Sequence, residues 1–138
     1  MRLLLDTHIW LWGLLSPQRL SRKVAAALED PENELWLSSI SAWEAMILAE
    51  RGRIELDSPP ADWVALQLSR VPMRDAPVTR DVAIRSRTVA LAHDDPADRF
   101  IAATAAAHSL TLVTADERLA KGSGYSVLVN RAPLRRPG

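Results

Sequence analysis

The chain has no cysteine, which excludes disulfides and thiolate metal sites. It has no surplus of either charge: 17 Lys and Arg balance 17 Asp and Glu. A protein that grips long nucleic acid by bulk electrostatics carries a basic excess. Any contact with nucleic acid here has to be local. No stretch approaches the roughly 20 apolar residues of a membrane span. The apolar run Leu3-Leu4-Leu5 ends at Asp6, and His8 follows, so the N-terminus does not read as a signal peptide. The expectation is a cytoplasmic protein. Gly-x-x-x-x-Gly-Lys and Gly-x-Ser-x-Gly are both missing, which removes a P-loop and a serine-hydrolase elbow. His8, His93 and His108 are not spaced as metal ligands, and each reads as structural. Tyrosine and phenylalanine occur once each, against five tryptophans. Trp10, Trp43 and Trp63 read as core or interface residues, with Trp43, Met46 and Ile47 forming one helical stripe.

What is present suits one domain: 138 residues, of which 48% are apolar. The domain is expected over residues 1–130, with a loose arginine-rich tail over 131–138. Short apolar runs at Leu3–Leu5, Leu35–Leu37, Leu110–Thr114 and Tyr125–Val129 read as strands, and Met73–Ala76 as a short strand or extended connection. Helices are expected over Ile9–Leu15, Arg22–Glu29, Ile40–Glu50, Ala61–Val71, Arg80–Ala92, Pro96–His108 and Asp116–Ala120. Ser21 and Thr79 read as N-caps, and Pro96 sits where a first helical turn favours proline. Strands alternating with helices predict an α/β fold, a three-layer α/β/α sandwich with a mostly parallel sheet.

The acidic residues fall at particular places in this pattern. Asp6 follows the first strand directly, and Asp116 follows the strand ending at Thr114 after one residue. In open parallel sheets, sites form outside the carboxyl ends of the strands. Glu44 shares a helix face with Ile40, Ile47 and Leu48, and Asp98 shares one with Ile101 and Ala102. A carboxylate aimed at an apolar face is costly unless it is paired or binds a metal. Arg99 and Arg118 lie near in sequence, but each follows its acid by one or two residues, which favours another direction on a helix. Four carboxylates from four segments, each pointing inward or to the sheet edge, suit a hard cation, Mg²⁺ or Mn²⁺. Such ions serve phosphoryl-transfer chemistry. Simpler readings stand beside this one. Asp6, Asp95 and Asp116 could be helix caps, Glu44 could be the buried partner of an arginine, and Thr7 and Thr114 could be capping or strand-forming residues. Ser38, Ser39 and Ser41 read as strand-to-helix turn residues.

Taken in order, these segments resemble a known family. They are Leu3-Leu4-Leu5-Asp6-Thr7-His8, Ser38-Ser39-Ile40-Ser41-Ala42-Trp43-Glu44, Asp95-Pro96-Ala97-Asp98-Arg99-Phe100-Ile101-Ala102-Ala103 and Val113-Thr114-Ala115-Asp116. The resemblance is to the PIN-domain nucleases, and among them to the VapC-type toxins of bacterial toxin–antitoxin pairs. It spans nearly the whole chain. It implies a PIN-like α/β/α sandwich in which Asp6, Glu44, Asp98 and Asp116 are the catalytic, metal-binding set, with Thr114 and Asp95 accessory; Thr7, read from its place beside Asp6, is a further accessory residue that could hold a metal-bound water or a neighbouring carboxylate. It also implies hydrolysis of RNA phosphodiester bonds with Mg²⁺ or Mn²⁺, a homodimer, and silencing by a cognate antitoxin. The expected products carry a 5′-phosphate and a 3′-hydroxyl. Ala97 departs from the family, where a bulkier residue is common, and this bears on local packing only.

Two other functions compete with this one. A phosphoacceptor receiver-type domain also clusters acids at strand ends, but it needs an acceptor Asp on a central strand and a lysine near the last strand. Lys121 is the only lysine near that place, and the strand ending at Leu37 closes on serines. A catalytically inactive PIN-like scaffold that binds RNA or a partner would not need all four acids.

Overall fold

The computed structural model describes residues 1–131, so the expected tail lies, beyond Arg131, outside the described residues. Five strands form one sheet in the order β3-β2-β1-β4-β5, where β1 is Arg2–Leu5, β2 Glu34–Ser38, β3 Arg74–Ala76, β4 Thr111–Thr114 and β5 Ser126–Val129. Every pairing is parallel; in register, Leu4 lies beside Trp36 on one side and Leu112 on the other. The expected parallel sheet is therefore borne out, with Arg74–Ala76 as one of its two edge strands.

Side chains alternate across a strand, and β1 uses this to build two cores. Leu3 and Leu5 (0% and 3% exposed) face one side, with Ile9, Trp10, Val24, Leu37 and Trp63. Those residues come from α1 (Thr7–Leu15), α2 (Arg22–Glu29), β2 and α4 (Pro60–Arg70), and α3 (Ser39–Glu50) adds Ala45 to the same layer. Leu4 faces the other side with Leu112, Ile101, Ala102, Ala105 and Leu119. There the covering helices are α6 (Pro96–His108) and α7 (Glu117–Ala120), with α5 (Arg80–Thr88) packed on α6. The result is the expected three-layer sandwich. Alanines at 102, 103 and 105, each at most 1% exposed, let α6 lie close to the sheet.

Sequence signals placed most helix starts well. Ser21, Ser38 and Thr79 accept from the backbone N–H of Val24, Ile40 and Val82 at 3.1–3.2 Å. Three expectations need correction. Helix α1 begins at Thr7 rather than Ile9, because Asp6 occupies the N-cap position. Helix α5 ends at Thr88 rather than near Ala92. The chain leaves the helix at Val89, and the carbonyls of Ser86, Val89, Leu91 and His93 are taken by the guanidinium of Arg99 at 2.7–3.2 Å. Trp10 and Trp63 are buried against each other, but Trp43 is 51% exposed, which removes the core half of its core-or-interface reading and leaves the interface half.

The chain runs from β1 to β2 on one flank and places β4 on the other. The crevice between the carboxyl ends of β1 and β4 is thus the switch point of the sheet, where open α/β folds bind ligands.

Candidate active site

Asp6 leaves β1 at that crevice. Its backbone N–H donates to the carbonyl of Val113 at 2.9 Å, continuing the β1–β4 ladder by one residue. It stands at the N-cap of α1, yet its side chain makes no capping bond. The carboxylate instead turns inward, 5% exposed, and accepts from the Thr114 hydroxyl at 2.7 Å. The same Thr114 oxygen accepts from the backbone N–H of Asp116 at 3.0 Å. One threonine at the end of β4 therefore orients the acids that follow two neighbouring strands.

Glu44 is half-buried in the second turn of α3. Beside it lies Thr7, fully buried, whose hydroxyl donates to Ser41 Oγ at 2.9 Å and ties α1 to α3. Asp98 is in the first turn of α6, and its N–H is capped by Asp95 at 3.1 Å. The capping reading is right for Asp95, right for Asp116, which caps Arg118 N–H at 2.8 Å, and wrong for Asp6.

Asp6, Glu44, Asp95, Asp98 and Asp116 all line a single cavity of about 590 Å³, with His8, Trp12, Arg19, Arg53 and Arg118 among its other walls. The four acids singled out from the sequence thus come together. Thr7 and Thr114 bond to residues of its wall or beside it. The structure corrects two details. Asp116 is paired: Arg118 reaches back to it with contacts of 3.3–3.4 Å. The helical-offset argument does not apply, because Asp116 precedes the helix as its cap. His93, read from the sequence as structural, stands against the acidic set. Its Nε2 lies 2.9 Å from Asp98 Oδ2, while its buried Nδ1 has no partner among the described residues. No spacing rule pointed to His93, since it lies on the irregular link between α5 and α6.

The electrostatics follow from this crowding. Burial raises Asp6 from 3.8 to about 6, against the Thr114 hydrogen bond, with Asp98 and Glu44 adding repulsion. Burial also raises Glu44 and Asp98; Thr7 and His93 partly offset it. Burial acts on Asp116 too, but its bonds to Arg118 outweigh it and hold that carboxyl low. Three of the four acids are thus held where their charged forms are disfavoured. A divalent cation would reverse this. The donors fit one: carboxylate oxygens suit Mg²⁺ or Mn²⁺, and an imidazole nitrogen is tolerated better by Mn²⁺. Ligand atoms of His93, Asp98 and Asp116 lie within 4.8 Å of one another.

The PIN-domain family model matches residues 3–124. The chain belongs to the PIN-domain family. The PIN match covers every element that carries the acidic cavity. Ribonuclease VapC22 of Mycobacterium tuberculosis is 42% identical over 119 residues, 84% of this chain and 88% of that protein. Among solved structures, FitAcB from Neisseria gonorrhoeae is 26% identical, with a TM-score of 0.62 over 91% of this chain and 95% of that one. VapBC2 from Rickettsia felis, solved bound to a DNA fragment from the promoter, has a TM-score of 0.71 over 95% of this chain and 100% of that one. At 17% identity it shows the PIN fold alone. No helix among the described residues is long and apolar enough to cross a membrane.

The charge balance predicts how stability responds to pH. Asp6 binds its proton more tightly when folded than when unfolded, so protonation stabilises the fold. In EDTA, stability should fall as pH rises from about 4 to about 6 and then level off. The rise from 3.8 to about 6 corresponds to roughly 3 kcal/mol as an upper figure. Thermal melts at pH 5 and 7.5 test this. Asp6→Asn should flatten the dependence and melt higher than wild type at pH 7.5. Added Mn²⁺ should reverse the wild-type trend, because metal binding needs the carboxylates deprotonated. A wild-type curve in EDTA that is flat or rises over this range would contradict the assignment.

Proposed function

We propose that this protein is a metal-dependent endoribonuclease and the toxin of a toxin–antitoxin pair. The observation that carries the reading is the convergence of Asp6, Glu44, Asp98 and Asp116, from four separate segments, on one cavity. Membership of the PIN family and the likeness to a protein named as a ribonuclease support it. The solved VapBC and FitAcB assemblies support a cognate antitoxin as partner. The same reading makes it a cytoplasmic homodimer acting on RNA.

In this proposal Asp6, Glu44, Asp98 and Asp116 hold the ion, and His93 holds Asp98 in place. Mg²⁺ or Mn²⁺ bound there supplies Lewis-acid stabilisation of the phosphodiester and lowers the pKa of water. The protein's own part is positional. Thr114 fixes Asp6 and the backbone of Asp116 through one oxygen. Thr7 and Ser41 fix the turn of α3 that presents Glu44. The Asp95 cap fixes the first turn of α6. The threonine bonds are buried or part-buried and the Asp95 cap is exposed; together they are the kind of support that holds a site to its working geometry. A receiver-type phosphoacceptor is set aside by the PIN match, and Lys121 caps α7 at the surface.

Incubation with total RNA, followed by mapping of cut ends, tests the proposal. Cleavage should require Mg²⁺ or Mn²⁺, stop in EDTA, and return when either ion is restored in excess. The new ends should carry a 5′-phosphate. Cleavage that persists in EDTA, or an absence of cleavage with both ions, would overturn it.

A further inference from the structure

A second hollow, of about 350 Å³, opens beside the acidic cavity, and the two share His8, Trp12, Arg19, Arg53 and Ile54 as walls. Its chemistry is different. Arg19, Arg53 and the His8–Trp12 pair face both, but the five carboxylates that line the acidic cavity are absent from the lining of this hollow, where Glu55 is the acidic residue. The Arg19 guanidinium sits over the Trp12 ring, 4.2 Å from its centroid. His8, one helical turn before Trp12, has its ring centroid 6.1 Å from the indole. Arg19 and Arg53 are exposed, and among the described residues neither guanidinium has a hydrogen-bond or carboxylate partner. Among the described residues Arg22, Arg51, Arg70, Arg80 and Arg87 also lack an acidic partner, but none of them walls either cavity, whereas Arg2, Arg74, Arg85, Arg118 and Arg131 each pair with an acid and Arg99 is spent on carbonyls.

We propose that this hollow is a subsite for single-stranded RNA. Arg19 and Arg53 take a phosphate adjoining the cut, and its base lies against the His8–Trp12 pair. The inference rests on the ribonuclease reading and deepens it. A chain with no net charge needs local cations to hold a polyanion next to a cluster of carboxylates, and these two arginines stand at the boundary between the cavities. Guanidinium groups bind phosphate through fixed N–H forks, and they stack on aromatic or base faces. Every base has a π face, so an aromatic wall beside a phosphate site suits nucleic acid without demanding a sequence. An acidic protein segment could use the arginines, but it would leave the aromatic wall without a role.

The test is fluorescence anisotropy of a labelled single-stranded RNA oligonucleotide with the full chain in an Asp98→Asn background with Mg²⁺. Arg19→Ala and Arg53→Ala should each weaken binding by about tenfold and reduce the salt slope by about one. Arg74→Ala, which removes a charge at the amino edge of the sheet, should change affinity less than twofold. Arg19→Lys should keep the salt slope and recover only part of the affinity, because an ammonium does not replace the stacked plane. In otherwise wild-type protein, Arg53→Ala should raise KM for RNA with little change in kcat. If wild type cuts RNA and both alanine variants bind it with unchanged affinity, the subsite falls while the ribonuclease reading stands. An acidic protein segment would then be the ligand left for the two arginines. An equal loss in Arg74→Ala would also overturn the subsite, since it would mean diffuse charge alone. A wild-type protein that neither cuts nor binds RNA would remove both readings.

Discussion

Asp98→Asn and Asp6→Asn should each lower RNA cleavage by roughly a hundred- to a thousandfold, the scale on which removing one stabilising group acts, while leaving the melting temperature in EDTA unchanged or higher. The two effects have opposite signs because the acids do opposite things in the two states. Without a cation, Asp6 is buried and Asp98 part-buried, and Asp98 repels the charge on Asp6. Replacing either with a neutral amide of the same shape removes that repulsion. The local hydrogen bonds survive: an Asn carbonyl at position 6 still accepts from Thr114, now 2.7 Å from Asp6, and one at position 98 still meets His93, now at 2.9 Å. What is lost is the charge that holds an ion. Affinity for Mn²⁺, measured by calorimetry, should therefore fall in step with activity. His93→Gln should cost less, about ten- to a hundredfold in metal affinity, because His93 acts through Asp98. An Asp98→Asn protein that melts normally and still cuts RNA at the wild-type rate would remove Asp98 from the site.

The acidic set was legible in the sequence because each member obeys a backbone periodicity. Asp6 and Asp116 stand just past apolar strands, and parallel strands put such residues at one edge. Glu44 and Asp98 lie on inner helix faces, where a turn of 3.6 residues fixes direction. His93 obeys no such rule. It sits between α5 and α6, and its direction is set by side chains that sequence spacing does not connect to it. The Asp116–Arg118 pair was missed for a related reason. Helical offsets describe residues inside a helix, and Asp116 is the cap before one. Thr114 was recognisable as polar next to an acid, but its double duty depends on β1 and β4 being neighbours, which only the sheet order reveals. Trp43 misled because an apolar stripe on a helix predicts burial only where another element covers it, and nothing among the described residues covers most of Trp43.

Arg99→Leu should destabilise the protein by about 3–5 kcal/mol, a large share of the roughly 5–15 kcal/mol typical of small domains. Arg99 is 7% exposed and, among the described residues, makes no bond to a carboxylate. Its Nε donates to the Ser86 carbonyl at 2.7 Å, Nη1 to Leu91 and His93 at 3.0 and 3.2 Å, and Nη2 to Val89 at 3.1 Å. A buried acceptor left without its donor costs about 1–3 kcal/mol, and water can reach only part of this link. The guanidinium is thus the clasp that ends α5 and folds the chain back onto α6. It is adjacent to Asp98 yet points away from it, so its loss reaches the acidic cavity indirectly, through the backbone that carries His93. Urea unfolding of Arg99→Leu should give a lower midpoint, and Mn²⁺ affinity of the folded fraction should fall as well. Arg99→Lys should recover little of either, since a single ammonium cannot span four carbonyls. If Arg99→Leu loses less than about 1 kcal/mol, the value of one ordinary hydrogen bond, the link between α5 and α6 is held by something other than this clasp. A stability loss with Mn²⁺ affinity intact would separate the two roles and leave His93 positioned by its own contact with Asp98.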